Sequence, residues 1–282
     1  LNIFNIIKKI KPDEIYNLGA QSHVAVSFEI PEYTANVNAL GTLRILEAIK
    51  LNNLEKKTKF YQASTSELYG LVQKTPQNED TKFYPRSPYS ISKLFSYWTT
   101  INYRESYNLF ACNGILFNHE SPVRGETFVT KKISQGLVSI AMGEKKYFSL
   151  GNLDAKRDWA HAKDYVKAMW LMLQQKKPDD YVISTGKSYS VKKFCELVCE
   201  ELAININWSG KGLNEKGIDT LTGREIISVD PYFFRPNDIS ELRGSFKKAN
   251  KLLKWSPKTS IRKLVNIMVK NELELIKVDR FY

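Results

Sequence analysis

Through the first half of the chain, short runs rich in aromatic and β-branched residues alternate with longer segments whose apolar positions recur at helical spacing. EIYNLGA (14–20) reads as a strand and EYTANVNALGTLRILEAIKLN (32–52) as a helix. TKFYQAST (58–65) reads as the next strand, SPYSISKLFSYWTTINYRESYN (87–108) as a helix, and FACNGILFN (110–118) as a third strand. Such alternation predicts a parallel sheet covered by helices, because each helical crossover returns the chain to run in the same direction. The C-terminal strand ends then share one side of the sheet, where open α/β sheets place their ligands. Polar residues leaving those ends are the first candidates for chemistry.

After Asn118 the pattern loosens. HESPVRGETFVT reads as a loop, KKISQGLVSIAMG as a helix, RDWAHAKDYVKAMWLMLQQ as a helix with a strong apolar face, and DYVISTG (180–186) as a strand. Beyond 187 the pattern predicts a helix at 190–203, a loop in SGKGLNEKGIDTLTGRE, and helices near 245–254 and 260–277. The expected architecture is a Rossmann-like, doubly wound parallel α/β sheet over 1–122 and 150–186, with a smaller interleaved domain over 123–149 and 187–282. No G-x-G-x-x-G or G-x-x-G-x-x-G turn occurs, so the sheet is expected to begin part-way through such a domain, and the absence of an initiator Met agrees with a longer gene product.

Composition narrows the class. The 282 residues are 43% hydrophobic, enough for one large domain or two modest ones sharing a core. Apolar runs break well before the roughly 18 residues needed to cross a bilayer, and LNIFNIIKKIKPDE lacks the apolar centre and cleavage site of a secretory signal, so no membrane span is predicted. The formal charge of +12 is spread over short lysine pairs, which reads as solvated faces rather than one nucleic-acid patch. A basic protein also suits a polyanionic substrate such as a nucleotide diphosphate. Cys195 and Cys199 lie four apart on the 190–203 helix and read as core thiols. With three histidines and no matching pair spacing, no metal is expected.

Two stretches carry the candidate chemistry. In RSPYSISK, Ser87 suits a helix cap and Pro88 the first helical position, so Tyr89 falls in the first turn with Lys93 four residues on, both on one face. A nearby ammonium and the positive helix end both favour the phenolate, lowering a pKa that starts near about 10. In STSELYG (64–70), a strand ends in hydroxyl groups followed by the carboxylate of Glu67. Y-x-x-x-K arises by chance in many helices. Its combination with NLGAQSHV, ASTSELYG and NHESP, each at the end of a predicted strand, is far more specific.

In that order these motifs resemble the extended short-chain dehydrogenase/reductases that act on nucleotide sugars. YNLGAQSHVAVSFEIPEYTANVNALGTLRILEAI, FYQASTSELYG, FYPRSPYSISKLFSYW, NYRESYNLFACNGILFNHESP, GNLDAKRDWAHAKDYVKAMWLMLQ and FFRPNDI are similar, block by block, to the GDP-mannose 4,6-dehydratases. The resemblance implies Thr65, Glu67, Tyr89 and Lys93 as the catalytic set, with oxidation at sugar C4, loss of water across C5 and C6, and return of hydride to C6. It implies NADP as cofactor, held by Leu18, Gly19, Ala20, Gln21, Ser22, Tyr33, Lys93, His119 and Arg124. It implies GDP-mannose as substrate, held by Asn118, Val129, Lys132, Arg157 and Arg235, and a cytoplasmic homodimer or homotetramer. It also implies that the first third of the Rossmann domain lies outside this chain.

Plainer readings stand beside these. Arg157 could pair with Asp158 or Asp164 at the surface, His161 reads as structural on a helix, and Glu120 and Asp238 read as local hydrogen-bonders. His23 could orient the loop after the first strand. The face of Leu94, Tyr97, Trp98 and Ile101 fits a partner helix or ordinary core packing equally. Val123 stands where the family often has a second arginine, Gly19 where Ala is common, and Ser66 where dehydratases of other sugars often carry Asp. A nucleotide-sugar 4-epimerase or reductase would need Tyr89 and Lys93 without an acid at 67. A non-catalytic binding protein is the reading of a different class.

Overall fold

In the computed structural model of the chain, residues 2–234 and 239–279 are described. The elements begin with α1 (Asn2–Ile10), β1 (Glu14–Asn17), α2 (Val24–Glu29), α3 (Pro31–Ala35), α4 (Gly41–Leu51), β2 (Lys59–Thr65), α5 (Pro88–Tyr107) and β3 (Ala111–Leu116). They continue with β4 (Asn118–Glu120), α6 (Val129–Ala141), β5 (Phe148–Leu150), β6 (Lys156–Arg157), β7 (Trp159–His161), α7 (Ala162–Leu173) and β8 (Tyr181–Ile183). The last are β9 (Tyr189–Ser190), α8 (Val191–Glu201), β10 (Ile206–Ser209), β11 (Lys216–Asp219), β12 (Glu225–Val229), α9 (Lys247–Leu253) and α10 (Ile261–Asp279). The chain divides into two compact units. One comprises Leu1–Phe117, Asp164–Gly186 and Leu242–Ser256, the other Asn118–Lys163, Lys187–Glu241 and Pro257–Tyr282.

The first unit is built on a sheet of order β1-β2-β3-β8 in which every pairing is parallel. β2 lies inside this sheet, and its aromatic and small residues suit a strand covered on both faces: Phe60 and Tyr61 are fully buried. Ile7, Leu46, Ile49, Phe60 and Leu109 form one core cluster of this unit. Asp180 ties α5 to the sheet. Its carboxylate accepts two hydrogen bonds from Arg104, at 2.9 and 2.8 Å, one from the Asn113 backbone N–H at 2.8 Å, and one from Asn113 Nδ2 at 3.0 Å.

The second unit holds a sheet of order β10-β11-β12-β5 and a parallel pair β4-β7. Its core gathers Ile133, Leu137, Trp159, Phe194, Ile227 and Met268, and Cys195 and Cys199 are buried within it. Among the described residues no helix is long and apolar enough to cross a membrane, and no cluster of His, Cys, Asp and Glu is arranged to hold a metal.

Three segments differ from their sequence pattern. The helix expected over 32–52 is interrupted by a π-helical turn at Asn36–Leu40, which separates α3 from α4. RDWAHAKDYV does not start as a helix: Trp159–His161 is a strand paired to Asn118–Glu120, and the helix begins at Ala162. His161 therefore ends a strand, where its Nδ1 accepts the Lys163 N–H at 3.0 Å. The expected loop 209–225 contains β11, antiparallel to both β10 and β12. A partner distant in sequence decides Trp159–His161, and β11 forms as the middle strand between β10 and β12, signals that local periodicity does not carry.

Candidate active site

Ser87 starts the helix that presents the tyrosine and lysine. Its backbone is extended (φ −147°, ψ 157°), its Oγ accepts the Ser90 N–H at 3.1 Å, and the Ser90 hydroxyl accepts the Ser87 N–H at 3.0 Å, a reciprocal cap with Pro88 next in line. The cap satisfies donors at the helix start that would otherwise be orphaned. Tyr89 and Lys93 then follow one turn apart, both buried. Lys93 is only 4% exposed, and its Nζ donates to the Ala63 carbonyl at 3.0 Å. Burial pushes the Lys93 ammonium down to about 8 from its ordinary 10.5.

The Lys93 to Ala63 bond pins α5 to β2 two residues before that strand ends at Thr65. Thr65 is also buried, and its Oγ1 accepts the Glu67 N–H at 3.2 Å, capping a single 3-10 turn over Ser66–Leu68. This cap places the Glu67 side chain, half-buried, one short turn from the strand end. Ser66, in the same turn, is buried. Thr65 and Glu67 thus lie at the end of β2, and the helix that carries Tyr89 is bonded to that strand through Lys93.

The expected cofactor strand end lies in the same unit. Leu18 and Gly19 are exposed directly after β1, and a Cβ at Gly19 would meet nothing closer than Asn17 Oδ1 at 3.7 Å. Gln21 is clamped through its backbone: its N–H donates to Asn38 Oδ1 at 2.8 Å and its carbonyl accepts from Asn38 Nδ2 at 3.0 Å. Asn38 Nδ2 also donates to Ser92 Oγ at 3.0 Å, so one buried amide ties the loop after β1 to α5. Sequence reading passed over Asn38; the signal was a polar residue on a helix face that otherwise packs inward. His23 caps α2, its Nδ1 accepting the Val26 N–H at 3.3 Å. Tyr33 lies on α3 and is exposed.

Asn118, His119, Arg124, Val129, Lys132 and Arg157 belong to the second unit. Asn118 and His119 lie on β4, and Val129 opens α6. Arg124 stacks its guanidinium 3.6 Å from the Phe128 ring centre, and its Nε lies 3.1 Å from the Glu120 carboxylate, an ion pair whose angle falls outside hydrogen-bond geometry. Burial pushes the Glu120 carboxyl up, against the lowering pull of Arg124 and of Thr130, which donates to it at 2.6 Å. Lys132 Nζ sits 3.2 Å from the Phe233 ring centre, and burial lowers its pKa against the attraction of Asp230. Arg157 is buried rather than paired at the surface. Its Nη1 donates to the Lys156 carbonyl at 3.0 Å and the Ile239 carbonyl at 2.6 Å. Arg235 and Asp238 lie outside the described residues.

A parallel sheet with a capped helix carrying Tyr89 and Lys93 beside a strand-end hydroxyl defines a Rossmann-type protein of the short-chain dehydrogenase/reductase class. Two solved structures share the fold. RMD from Pseudomonas aeruginosa in complex with NADPH superposes with a TM-score of 0.79 at 21% identity, over 93% of this chain and 82% of its own. UDP-glucose 4-epimerase from Thermotoga maritima with UDP-glucose gives 0.79 at 22% identity, over 98% and 82%. Residues 1–268 match the family model described as GDP-mannose 4,6 dehydratase. A GDP-mannose 4,6-dehydratase of Vibrio cholerae is 55% identical over 284 residues, covering 97% of this chain and 76% of that protein. One of Drosophila melanogaster is 54% identical over 276 residues, covering 98% and 70%. The chain belongs to the GDP-mannose 4,6-dehydratase family.

Proposed function

We propose that this chain converts GDP-mannose to GDP-4-keto-6-deoxymannose and water, with Thr65, Glu67, Tyr89 and Lys93 carrying the chemistry. The observation that carries the reading is the Lys93 to Ala63 hydrogen bond, which fixes the tyrosine-lysine helix against the strand end bearing Thr65 and Glu67. The exposed Leu18, Gly19 and Ser22 after β1, with room around Gly19, and the buried Lys93 with N–H donors beyond the one given to Ala63 fit the nicotinamide-ribose half of a dinucleotide. That group, NADP in this reading, supplies reversible hydride removal at sugar C4. Leu18, Gly19, Ala20, Gln21, Ser22, Tyr33 and Lys93 would hold it, and in the second unit His119 and Arg124 are assigned to it. Asn118, Val129, Lys132, Arg157 and Arg235 are assigned to the nucleotide sugar. Arginine suits a diphosphate because its planar fork donates two parallel hydrogen bonds.

Tyr89 takes the O4 proton as C4 is oxidised, and the Lys93 charge favours the phenolate. Thr65 already accepts the Glu67 N–H, which leaves its hydroxyl proton to donate to O4. With C4 a ketone, the C5 proton is acidic and Glu67 removes it. The C6 hydroxyl then needs a proton to depart as water. Ser66 cannot act as that acid at neutral pH, which leaves the carboxylic acid of Glu67 or the phenol of Tyr89. C6 takes the hydride removed from C4 and C5 takes a proton from solvent, which balances the reaction.

Free, buried cysteines suit the reducing cytoplasm. A homodimer or homotetramer is supported by the open apolar groove of Leu43, Ile91, Leu94, Phe95 and Trp98, in which Trp98 is 56% exposed, whereas Tyr97 is core. Incubation with GDP-mannose and NADP in deuterated water tests the activity. NMR should show a 4-keto-6-deoxy sugar carrying deuterium at C5. A 4-epimer or a 4-reduced sugar would replace this reading with the epimerase or reductase one.

A further inference from the structure

The loop after β4 is anchored at a second point, from the far end of the sequence. Lys131 on α6 and Glu272 on α10 form an ion pair that is nearly inaccessible to solvent, with 7% and 4% of the two side chains exposed. Lys131 Nζ also donates to the Pro122 carbonyl at 2.9 Å. Pro122 lies two residues before Arg124, in a loop that closes on itself through Arg124 N–H to the Ser121 carbonyl at 3.0 Å and Phe128 N–H to the Gly125 carbonyl at 3.1 Å. Glu120 pairs with the Arg124 side chain, and Lys131 holds the backbone of the loop at Pro122.

A buried ion pair is a poor way to gain stability, because desolvating two charges offsets most of their attraction and apolar residues of similar size serve as well or better. What an apolar pair cannot supply is the donor for Pro122. An apolar residue at 272 would lack the carboxylate that keeps Lys131 aimed. We propose that Lys131 and Glu272 are positioning residues. Glu272 orients the Lys131 ammonium, which fixes the 121–125 loop and so the place from which Arg124 works. The consequence for cofactor affinity rests on the reading above, whereas the fixing of the loop does not.

The test compares the full chain with the K131M/E272M double variant and with E272Q. The double variant removes both charges together and so keeps the fold where a single change would strand a buried charge. Three readouts are taken: the melting temperature, the rate of tryptic cleavage between Arg124 and Gly125 identified by mass spectrometry, and KM against kcat with NADP and GDP-mannose. Proteolysis of a folded protein reports the population of locally opened chain. The expected result for the double variant is an unchanged or higher melting temperature, cleavage after Arg124 faster by about tenfold, and KM for NADP raised by about fivefold with kcat within about twofold. E272Q should fall between it and the wild type. Unchanged cleavage at an unchanged melting temperature would overturn the proposal, as would a lower melting temperature with KM and cleavage unmoved. If the wild type shows no dehydratase activity, the proposed function fails, while the cleavage comparison still decides whether the loop is latched.

Discussion

Lys93→Met should remove activity and at the same time stabilise the fold. Lys93 is buried, and burial alone brings its pKa from 10.5 to about 8. At about 1.4 kcal/mol for each tenfold change in proton affinity, keeping this side chain charged below pH 8 costs the folded state about 3 kcal/mol. Methionine has similar length and carries no charge. It gives up the bond to the Ala63 carbonyl, a loss of about 1 kcal/mol, so the expected net gain near neutral pH is about 2 kcal/mol. The sign with pH follows from the lowered value. The unfolded chain holds the proton up to about 10.5 and the folded chain only to about 8, so wild-type stability from this group rises as pH climbs between those values. The advantage of the variant should therefore be largest below pH 8 and disappear towards pH 10.5. Urea unfolding of both proteins across that range, followed by tryptophan fluorescence, measures the difference, and titrations common to both cancel. A variant less stable than wild type near neutral pH, or a difference that ignores pH, would refute the reasoning that Lys93 is held charged at a cost to the fold for a purpose other than packing.

Three further changes test the frame around the site. Asp180→Ala strips four hydrogen bonds at once and leaves the Arg104 guanidinium and the fully buried Asn113 N–H without that partner, so a loss of about 3 to 5 kcal/mol is expected in urea unfolding. Removing the exposed Lys57 to Asp13 pair, at 3.6 Å, should cost under about 0.5 kcal/mol in the same assay. Gly70→Ala should cost more than about 3 kcal/mol: φ is +46°, and a Cβ would lie 1.8 Å from the Tyr84 carbonyl oxygen, a backbone atom that cannot rotate away.

The helical start at Ser87 and Pro88 and the strand ending at Thr65 were legible because caps and β-rich runs are local signals, and the pairing of Tyr89 with Lys93 followed from helix geometry alone. Long-range pairing was not legible. Trp159–His161 reads locally as the start of a helix and becomes a strand only because Asn118–Glu120 lies beside it. Lys216–Asp219 hides its strand character behind Lys, Gly and Asp, residues that are individually depleted in strands. Arg157 reads locally as a surface residue, yet it is buried and two of its hydrogen bonds go to backbone carbonyls, one of them at Ile239, and a sequence shows no carbonyls. The same holds for Asn38, whose side-chain amide makes three hydrogen bonds to a loop and a helix that precede and follow it in the chain. Motifs name the chemistry, while the groups that hold them in place are visible only in the fold.

The most direct measurement concerns Glu67, the residue that separates dehydration from simple oxidation. In Glu67→Gln, with GDP-mannose and NADP supplied, Tyr89, Lys93 and Thr65 are intact, so C4 oxidation should proceed. The near-ultraviolet absorbance of reduced nicotinamide should rise and persist, while 4-keto-6-deoxy product falls by at least about a hundredfold. Product formed at a rate near that of the wild type would contradict the account.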